Sequence, residues 1–291
     1  MGDAALAAAF ACYAGPLSAA ARGALAADAW APDARSRGLP LADAPSPVDM
    51  LVDDATRAGW SARGLGGDAT SAENGAILAT RARWPLLIDP QLQGVRWLAA
   101  TEPGLVTLTP ATPGFEAALA AALDAGSPVL VEGLGDDLPH ALDPLLRVPT
   151  GTAAQIRLGD AEVELRADAR LFLATRLPAP AYGPEVAAAV SVVDFAVTRD
   201  GLHEQLLAAV VDAERPELQA QAASLAAALG GFAARLTSLE DGLLARLASS
   251  TGDILDDEPL VVSLETTKAT ASEVEAEAAA ARAAAAATAA A

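Results

Sequence analysis

Cysteine, aromatic residues and positive charge are all scarce in this chain. Cys12 is the single cysteine among 291 residues, so no internal disulfide can staple the fold, and a reducing compartment suits it. Aromatic residues make up 4% of the sequence. An aromatic-rich core is thereby excluded, and the interior must come from short runs of Leu, Val and Ile, which gather between Trp84 and Val197. The hydrophobic fraction is 53%, but much of it is alanine, which favours helix and buries little surface. Lys and Arg number 19 against 38 Asp and Glu, for a net charge of −19. Such a field repels nucleic acid and anionic lipid at long range, and a nucleotide ligand needs a local cation to overcome it. No stretch of about 18 strongly apolar residues occurs, and the alanine-rich C-terminal run is too weakly apolar to stand in for one. The start of the chain carries Asp3 and no Lys or Arg ahead of its apolar stretch, unlike a signal peptide. Leu6 stands where a myristoylation signal has a hydroxyl residue. The expectation is a cytosolic chain with neither nucleic acid nor membrane as partner.

What is present changes character along the chain. Residues 1–30 have an alanine-rich helical composition broken at Gly15-Pro16, and 31–75 are rich in Pro, Gly, Asp and Ser, which predicts loop with short helical pieces. Short apolar runs of buried-strand type then appear at 85–89, 105–109, 128–132, 171–175 and 190–197. Helical stretches lie between them, the clearest at 114–125 with Phe115, Leu119 and Leu123 on one face. A further short helix is expected over 138–146. Residues 155–158 and 162–165 flank Gly159-Asp160, a hairpin turn signal. Strands alternating with helices predict an α/β fold with a mostly parallel sheet and flanking helices. Ligands of such sheets lie at the carboxyl ends of the strands, where Asp89, Glu132 and Thr175 stand. Beyond 197 the leucines recur at helical spacing. Two long helices joined by a turn over 249–259 suggest an antiparallel helical hairpin. The division expected is a lead-in over 1–74, an α/β core over 75–200, an exit helix and hairpin over 201–275, and a low-complexity alanine tail over 276–291.

Several short motifs, in this order, resemble the dynein heavy chain, and specifically its fifth AAA+ module. They are Glu73-Asn-Gly-Ala-Ile77 and Arg83-Trp-Pro-Leu-Leu-Ile-Asp-Pro-Gln91, then Pro128-Val-Leu-Val-Glu132 followed by Gly135-Asp-Asp-Leu138. Ile156-Arg-Leu-Gly-Asp160 is similar to the family's hairpin. Val210-Val-Asp-Ala-Glu-Arg-Pro-Glu217 resembles its exit helix, and Gly252-Asp-Ile-Leu-Asp-Asp-Glu258 the turn of its strut. Together they cover most of residues 1–275. Each is weak alone; the shared order and spacing make the match specific. The resemblance implies an ATP-driven, minus-end-directed microtubule motor with six AAA+ modules in one ring, the fifth of which supports the ring and sends out a strut that braces the stalk. The stretch around Tyr13-Ala-Gly-Pro16 resembles the chain returning from the stalk. Implied partners are the neighbouring modules of the same heavy chain and the stalk coiled coil. Light and intermediate chains and microtubules follow only through a full-length parent. The implied location is the cytoskeleton, in the ciliary axoneme.

The nucleotide site of such a module can be judged residue by residue. A working P-loop, G-x-x-x-x-G-K-[ST], wraps phosphates in backbone N–H groups, neutralises them with lysine and holds Mg²⁺ with a hydroxyl. Here the strand leads into Pro90-Gln-Leu-Gln-Gly-Val-Arg-Trp97. Aligned on the basic residue, Pro90 and Val95 replace the glycines, Arg96 replaces lysine and Trp97 replaces the hydroxyl residue; Gly94 sits one place early. Pro90 has no N–H, Trp97 offers no oxygen to a hard cation, and Arg96 keeps the charge but not the compact ammonium. Gln91 and Gln93 complete the candidate set for binding ATP or ADP. The next strand should end in Asp-Glu to hold Mg²⁺ and prime water, but carries Glu132-Gly133, so the second acid is missing unless Asp136 or Asp137 folds back. Thr175 occupies the place of the polar residue that positions the γ-phosphate or water.

Three readings stay open at this stage: a hydrolysing site, a retained nucleotide attracted by Arg96 and the helix N-terminus behind it, and a structural remnant. No catalytic residue and no metal ligand is assigned. The two histidines, His140 and His203, lie far apart with no Cys cluster, which argues against zinc, and no G-x-S-x-G elbow occurs. A free-standing ATPase using Arg96 and Glu132 is the rival function, and a truncated product with no function of its own is the third.

Overall fold

The fold is that of a computed structural model, which describes residues 1–81, 83–159, 161–215 and 258–289, with scattered positions from 217 to 245. Two compact units result. One is Met1–Val52 with Arg63–Glu204, the other Asp53–Ala62 with Gln205–Ala291.

The first unit begins with helices. α1 (Gly2–Tyr13) ends ahead of the expected break at Gly15-Pro16. Beyond it α2 (Ala19–Ala24), a π-helical stretch (Leu25–Trp30) and α3 (Ala31–Ser36) follow without interruption. The Pro- and Gly-rich region holds short pieces, as its composition predicts: α4 (Pro47–Leu51), α5 (Asp54–Ala62, in the second unit) and α6 (Ala69–Ala79). Asp68 starts α6 by accepting the Ser71 N–H at 3.0 Å, satisfying one of the donors a helix start leaves open.

Five strands form a parallel sheet: β1 (Trp84–Ile88), β2 (Val106–Leu108), β3 (Val129–Val131), β6 (Leu171–Thr175) and β7 (Val190–Asp194). β4 (Ala154–Leu158) and β5 (Ala161–Leu165) pair antiparallel as a separate hairpin. Gly159, at φ +59°, supplies the positive φ that such a turn favours; its predicted partner Asp160 lies outside the described residues. Helices α7 (Gln93–Thr101), α8 (Phe115–Asp124), α9 (Asp143–Leu146, after a 3₁₀ turn His140–Leu142) and α10 (Pro184–Ala189) connect the strands.

The strand order is β2-β3-β6-β1-β7, so β1 lies between two neighbours. Leu86 pairs with Leu173 on one side and with Val192 on the other. Buried on both faces, β1, β3 and β6 read as unbroken apolar runs. One face carries Trp84, Leu86, Val129, Val131, Leu171 and Leu173, packed in a core with α8, α9 and the hairpin. Alternation puts Leu87, Leu130 and Phe172 on the other face. The last strand ends at Asp194 rather than running on to 197, because the Asp194 carboxylate accepts the Ala196 N–H at 2.8 Å and bends the chain away from the ladder.

In the second unit, α11 (Arg199–Glu214) continues from the first and α12 runs over Glu258–Ala289, taking in the alanine tail. Of the hairpin turn expected over 249–259, residues 249–257 lie outside the described residues and 258–259 instead begin α12; its first arm is described only at scattered positions. Among the described residues no helix is long and apolar enough to cross a membrane.

Trp84 locks the segment after β3 onto the sheet. Its indole N–H, buried, donates to the carbonyls of Leu145 at 3.0 Å and Val148 at 2.9 Å. Replacing it by phenylalanine keeps most of the ring but takes the indole donor from both carbonyls, Leu145 O retaining the Val148 N–H at 3.0 Å. Trp84→Phe is expected to lower the stability of the sheet-bearing unit by about 1–3 kcal/mol, read as a lower urea midpoint with an unchanged slope. An unaltered midpoint would show that the two carbonyls find other partners.

Candidate functional site

The carboxyl edge of the sheet is where a ligand of this fold would sit, and each strand end there is engaged by the chain itself. β1 delivers Asp89, which is fully buried. The chain then turns through Pro90 and Gln91 to Leu92, whose φ of 60° and ψ of 32° place it in the left-handed region. That conformation is costly for a branched side chain. α7 begins at once after it.

A helix start leaves backbone N–H groups without partners and carries a partial positive charge. Here Asp89 fills that position. One carboxylate oxygen accepts the Gln93 N–H and the other the Val95 N–H, each at 2.9 Å. Burial pushes the Asp89 carboxyl above the ordinary carboxylate range, opposed by the amides of Val95, Gln93 and Gly94 and by the charge of Arg96. A phosphate would need the same donors, and would meet a carboxylate already on them.

The other candidate residues are equally committed. Arg96 turns back onto the loop, with Nε donating to Leu92 O at 3.1 Å and Nη2 to Gln91 O at 2.6 Å. Its guanidinium thus closes the turn instead of projecting over it. Gln91 accepts the Val197 N–H through Oε1 at 3.4 Å. Gly94 is needed for close approach, since a Cβ there would lie 2.9 Å from Leu87 and 3.0 Å from the Phe195 ring. Trp97 is buried, on the helix where a Mg²⁺ ligand would stand. The space bordered by Asn74, Gln93 and Phe195 through Thr198 is about 10 Å³, close to the least that one water requires and far too small for a nucleoside.

At the neighbouring strand ends, Glu132 follows β3 and approaches Arg176 at 3.9 Å. Thr175 ends β6 fully buried; its hydroxyl donates to Leu134 O at 2.7 Å and accepts the Leu177 N–H at 3.2 Å. Its single donor is spent on the loop after β3 and one acceptor position on the chain just after β6. Asp136 accepts the Ala181 N–H at 3.1 Å, which ties it to the loop after β6. Burial raises the Tyr182 hydroxyl, with Thr175 opposing and Asp136 reinforcing the shift. Among the described residues no group of three or more His, Cys, Asp or Glu is placed to hold a metal. The donor set does not suit a nucleotide–magnesium complex: the anion position holds an acid, and the hydroxyl position holds an indole.

Sequence reasoning placed Asp89 at a strand end but gave it no role. The available signal was an acid immediately ahead of a turn into a helix. Phe195, which lies over Gly94, carried no signal at all, because only the tertiary fold brings β7 beside β1.

A parallel sheet of order β2-β3-β6-β1-β7, with a turn from the inner strand β1 into a helix at its carboxyl edge, defines a P-loop-type α/β module of the AAA+ kind. Residues 58–274 match the family described as the ATP-binding dynein motor region, and the chain belongs to that family. It is 42% identical over 279 residues to the flagellar outer-arm dynein beta chain of Chlamydomonas reinhardtii, which spans 94% of this chain and 6% of that one. It is also 42% identical over 238 residues to axonemal dynein heavy chain 9 of Homo sapiens, covering 81% and 5%. With the ciliary dynein beta chain of Tripneustes gratilla the identity is 40% over 277 residues, covering 94% and 6%. The chain therefore spans about 6% of the length of curated relatives such as these.

Asparagine at position 89 would keep one acceptor and put an amino group where the second stood, leaving one helix N–H unpaired. Asp89→Asn is expected to cost about 1–3 kcal/mol at neutral pH. The pH dependence follows from the raised folded-state value. The native state holds the Asp89 proton over an interval in which the unfolded chain has lost it, so this group's contribution is full below the ordinary carboxylate range and declines as pH rises through the raised value. Urea unfolding across pH should show the advantage of the wild type over Asp89→Asn shrinking from acid toward neutral pH. An advantage that grows over that interval would contradict the assignment.

Proposed function

We propose that this chain acts as a non-hydrolysing AAA+ module of an axonemal dynein heavy chain, the fifth of the ring, supporting its neighbours mechanically. The observation that carries this reading is the Asp89 carboxylate on the Gln93 and Val95 amides. A helix start that supplies its own anion needs no nucleotide to be stable. The missing magnesium hydroxyl, the Glu132-Gly133 strand end and the committed Thr175 point the same way. ATP, ADP and Mg²⁺ are accordingly not ligands of this module.

The order of the motifs from residue 73 to 258 supports the fifth position. Relatives named as flagellar, axonemal and ciliary dyneins support a place in the cilium. α12, with 32 residues, extends about 48 Å at the usual rise, a length suited to one arm of a strut that braces the stalk coiled coil. Neighbouring modules of the same heavy chain are the immediate partners. Light and intermediate chains and microtubules are reached only through the longer parent, as is motor activity.

Titration of the purified chain with a fluorescent ATP analogue and Mg²⁺ tests the proposal. No saturable binding up to millimolar nucleotide is expected, and no phosphate release. Mg²⁺-dependent turnover that disappears in Arg96→Ala would instead establish the rival reading, an ATPase relying on Arg96 and Glu132.

A further inference from the structure

Arg22 is the most completely engaged charge among the described residues, and it lies outside the candidate site. It sits on α2 with 1% of its surface exposed. Its Nε donates to Ala14 O at 3.0 Å and Leu17 O at 2.9 Å. Its Nη2 donates to Gly15 O at 2.8 Å and Asn74 Oδ1 at 2.7 Å, and its Nη1 to Glu73 Oε2 at 3.0 Å. One guanidinium thus gathers the α1–α2 connection and α6 into a single joint.

That joint is attached to the end of β7. Gly15 O accepts the Asp194 N–H at 3.0 Å as well as the Arg22 donor. Asn74, itself buried, returns a bond from Nδ2 to Asp194 O at 2.7 Å. Gly15 can approach this closely only because it lacks a side chain: a Cβ there would lie 2.1 Å from Val192 O. The next residue, Phe195, donates its N–H to Ile88 O at 2.9 Å and lays its ring over Gly94, and Val197 bonds to Gln91. A continuous path of contacts therefore runs from Arg22 through Asp194 and Phe195 to the turn closed by Asp89.

We propose that Arg22 is a positioning residue that couples the α1–α2 connection to the closure of the α7 turn. The physical reason is the cost of a half-satisfied buried charge: five acceptors hold the guanidinium, and losing a subset leaves it in a poorly compensated interior. The joint consequently has two arrangements, made and broken, with little between them. When it is made, β7 ends where Phe195 covers Gly94. When a displacement of residues 14–22 breaks it, Asp194 loses both of its partners there, Phe195 and Val197 lose their anchorage, and the amides of Gln93 and Val95 open. The α1–α2 connection thereby governs the state of the turn with no ligand as intermediary.

Residue-resolved hydrogen exchange on the full chain tests this coupling, and involves no nucleotide. Arg22→Lys, which keeps the charge but can reach fewer acceptors, is expected to speed exchange at Asp194, Val197, Gln93 and Val95 by about tenfold, the equivalent of one lost hydrogen bond. The β3 amides of Leu130 and Val131 should be unchanged. Linkage requires the reverse effect, so Asp89→Asn should speed exchange at Asp194 and Leu17. The Arg22→Lys, Asp89→Asn double variant should show less than the product of the single effects at Gln93 and Val95. If Arg22→Lys fails to fold, Asn74→Ala removes the bond to Asp194 O together with one of the five acceptors of Arg22, leaves the other four in place, and should give the same pattern. Faster exchange confined to residues 14–24 and 73–74, a uniform rise that includes β3, or fully multiplicative effects would each overturn the proposal.

Discussion

Two hydrogen bonds from the head of α7 to the Asp89 carboxylate organise the whole carboxyl edge of this sheet. A helix that starts directly after a buried strand presents orphan amides and the positive end of its dipole to an interior with no water to satisfy them. P-loop proteins meet this demand with a phosphate brought from outside. Here the strand that feeds the helix carries the anion itself, so the demand is met within a few residues. Burial disfavours the charge and raises the Asp89 carboxyl, opposed by the amides and the nearby Arg96.

Once the anion is internal, the surroundings have no reason to remain open. Phe195 lies over Gly94 at a distance that any larger residue would prevent. Arg96 is free to close the loop through backbone carbonyls rather than wait for phosphate oxygens. Thr175 spends its hydroxyl on Leu134 and Leu177, and Asp136 is drawn to Ala181. These groups stand at the carboxyl edge of the sheet, and each has an intramolecular partner. The carboxyl edge of this member of the dynein motor family is thus held by intramolecular bonds, which is what the proposed supporting role rests on.

Much of this could be read from the chain before any coordinates. The five apolar runs predicted as strands all lie in the sheet, displaced by at most a few residues, because strands buried on both faces must be continuously apolar. The change at Pro90 from apolar strand to a turn into a helix was also legible, and α7 begins at Gln93. Helix α10 escaped notice, since Pro184 through Ala189 is short and carries no clear apolar stripe. The early end of β7 escaped too, because an Asp194 side chain bonding two residues ahead competes with the ladder only locally. Arg22 drew no reading from the sequence, because nothing in its alanine-rich neighbours announces a residue 1% exposed.

By itself the sequence determined the alternation of strand and helix, the family, and the residue types at the strand ends, with Trp97 in the first turn of α7 and Glu132-Gly133 after β3. All three are set by residue type and spacing along the chain. Only the tertiary structure decided that Asp89 occupies the anion position, that Phe195 seals it, and that Arg22 ties the first helices to the end of β7. Those contacts join residues from 4 to 120 positions apart, and their partners are chosen by which strands lie side by side and by which buried polar groups would otherwise be left unpaired.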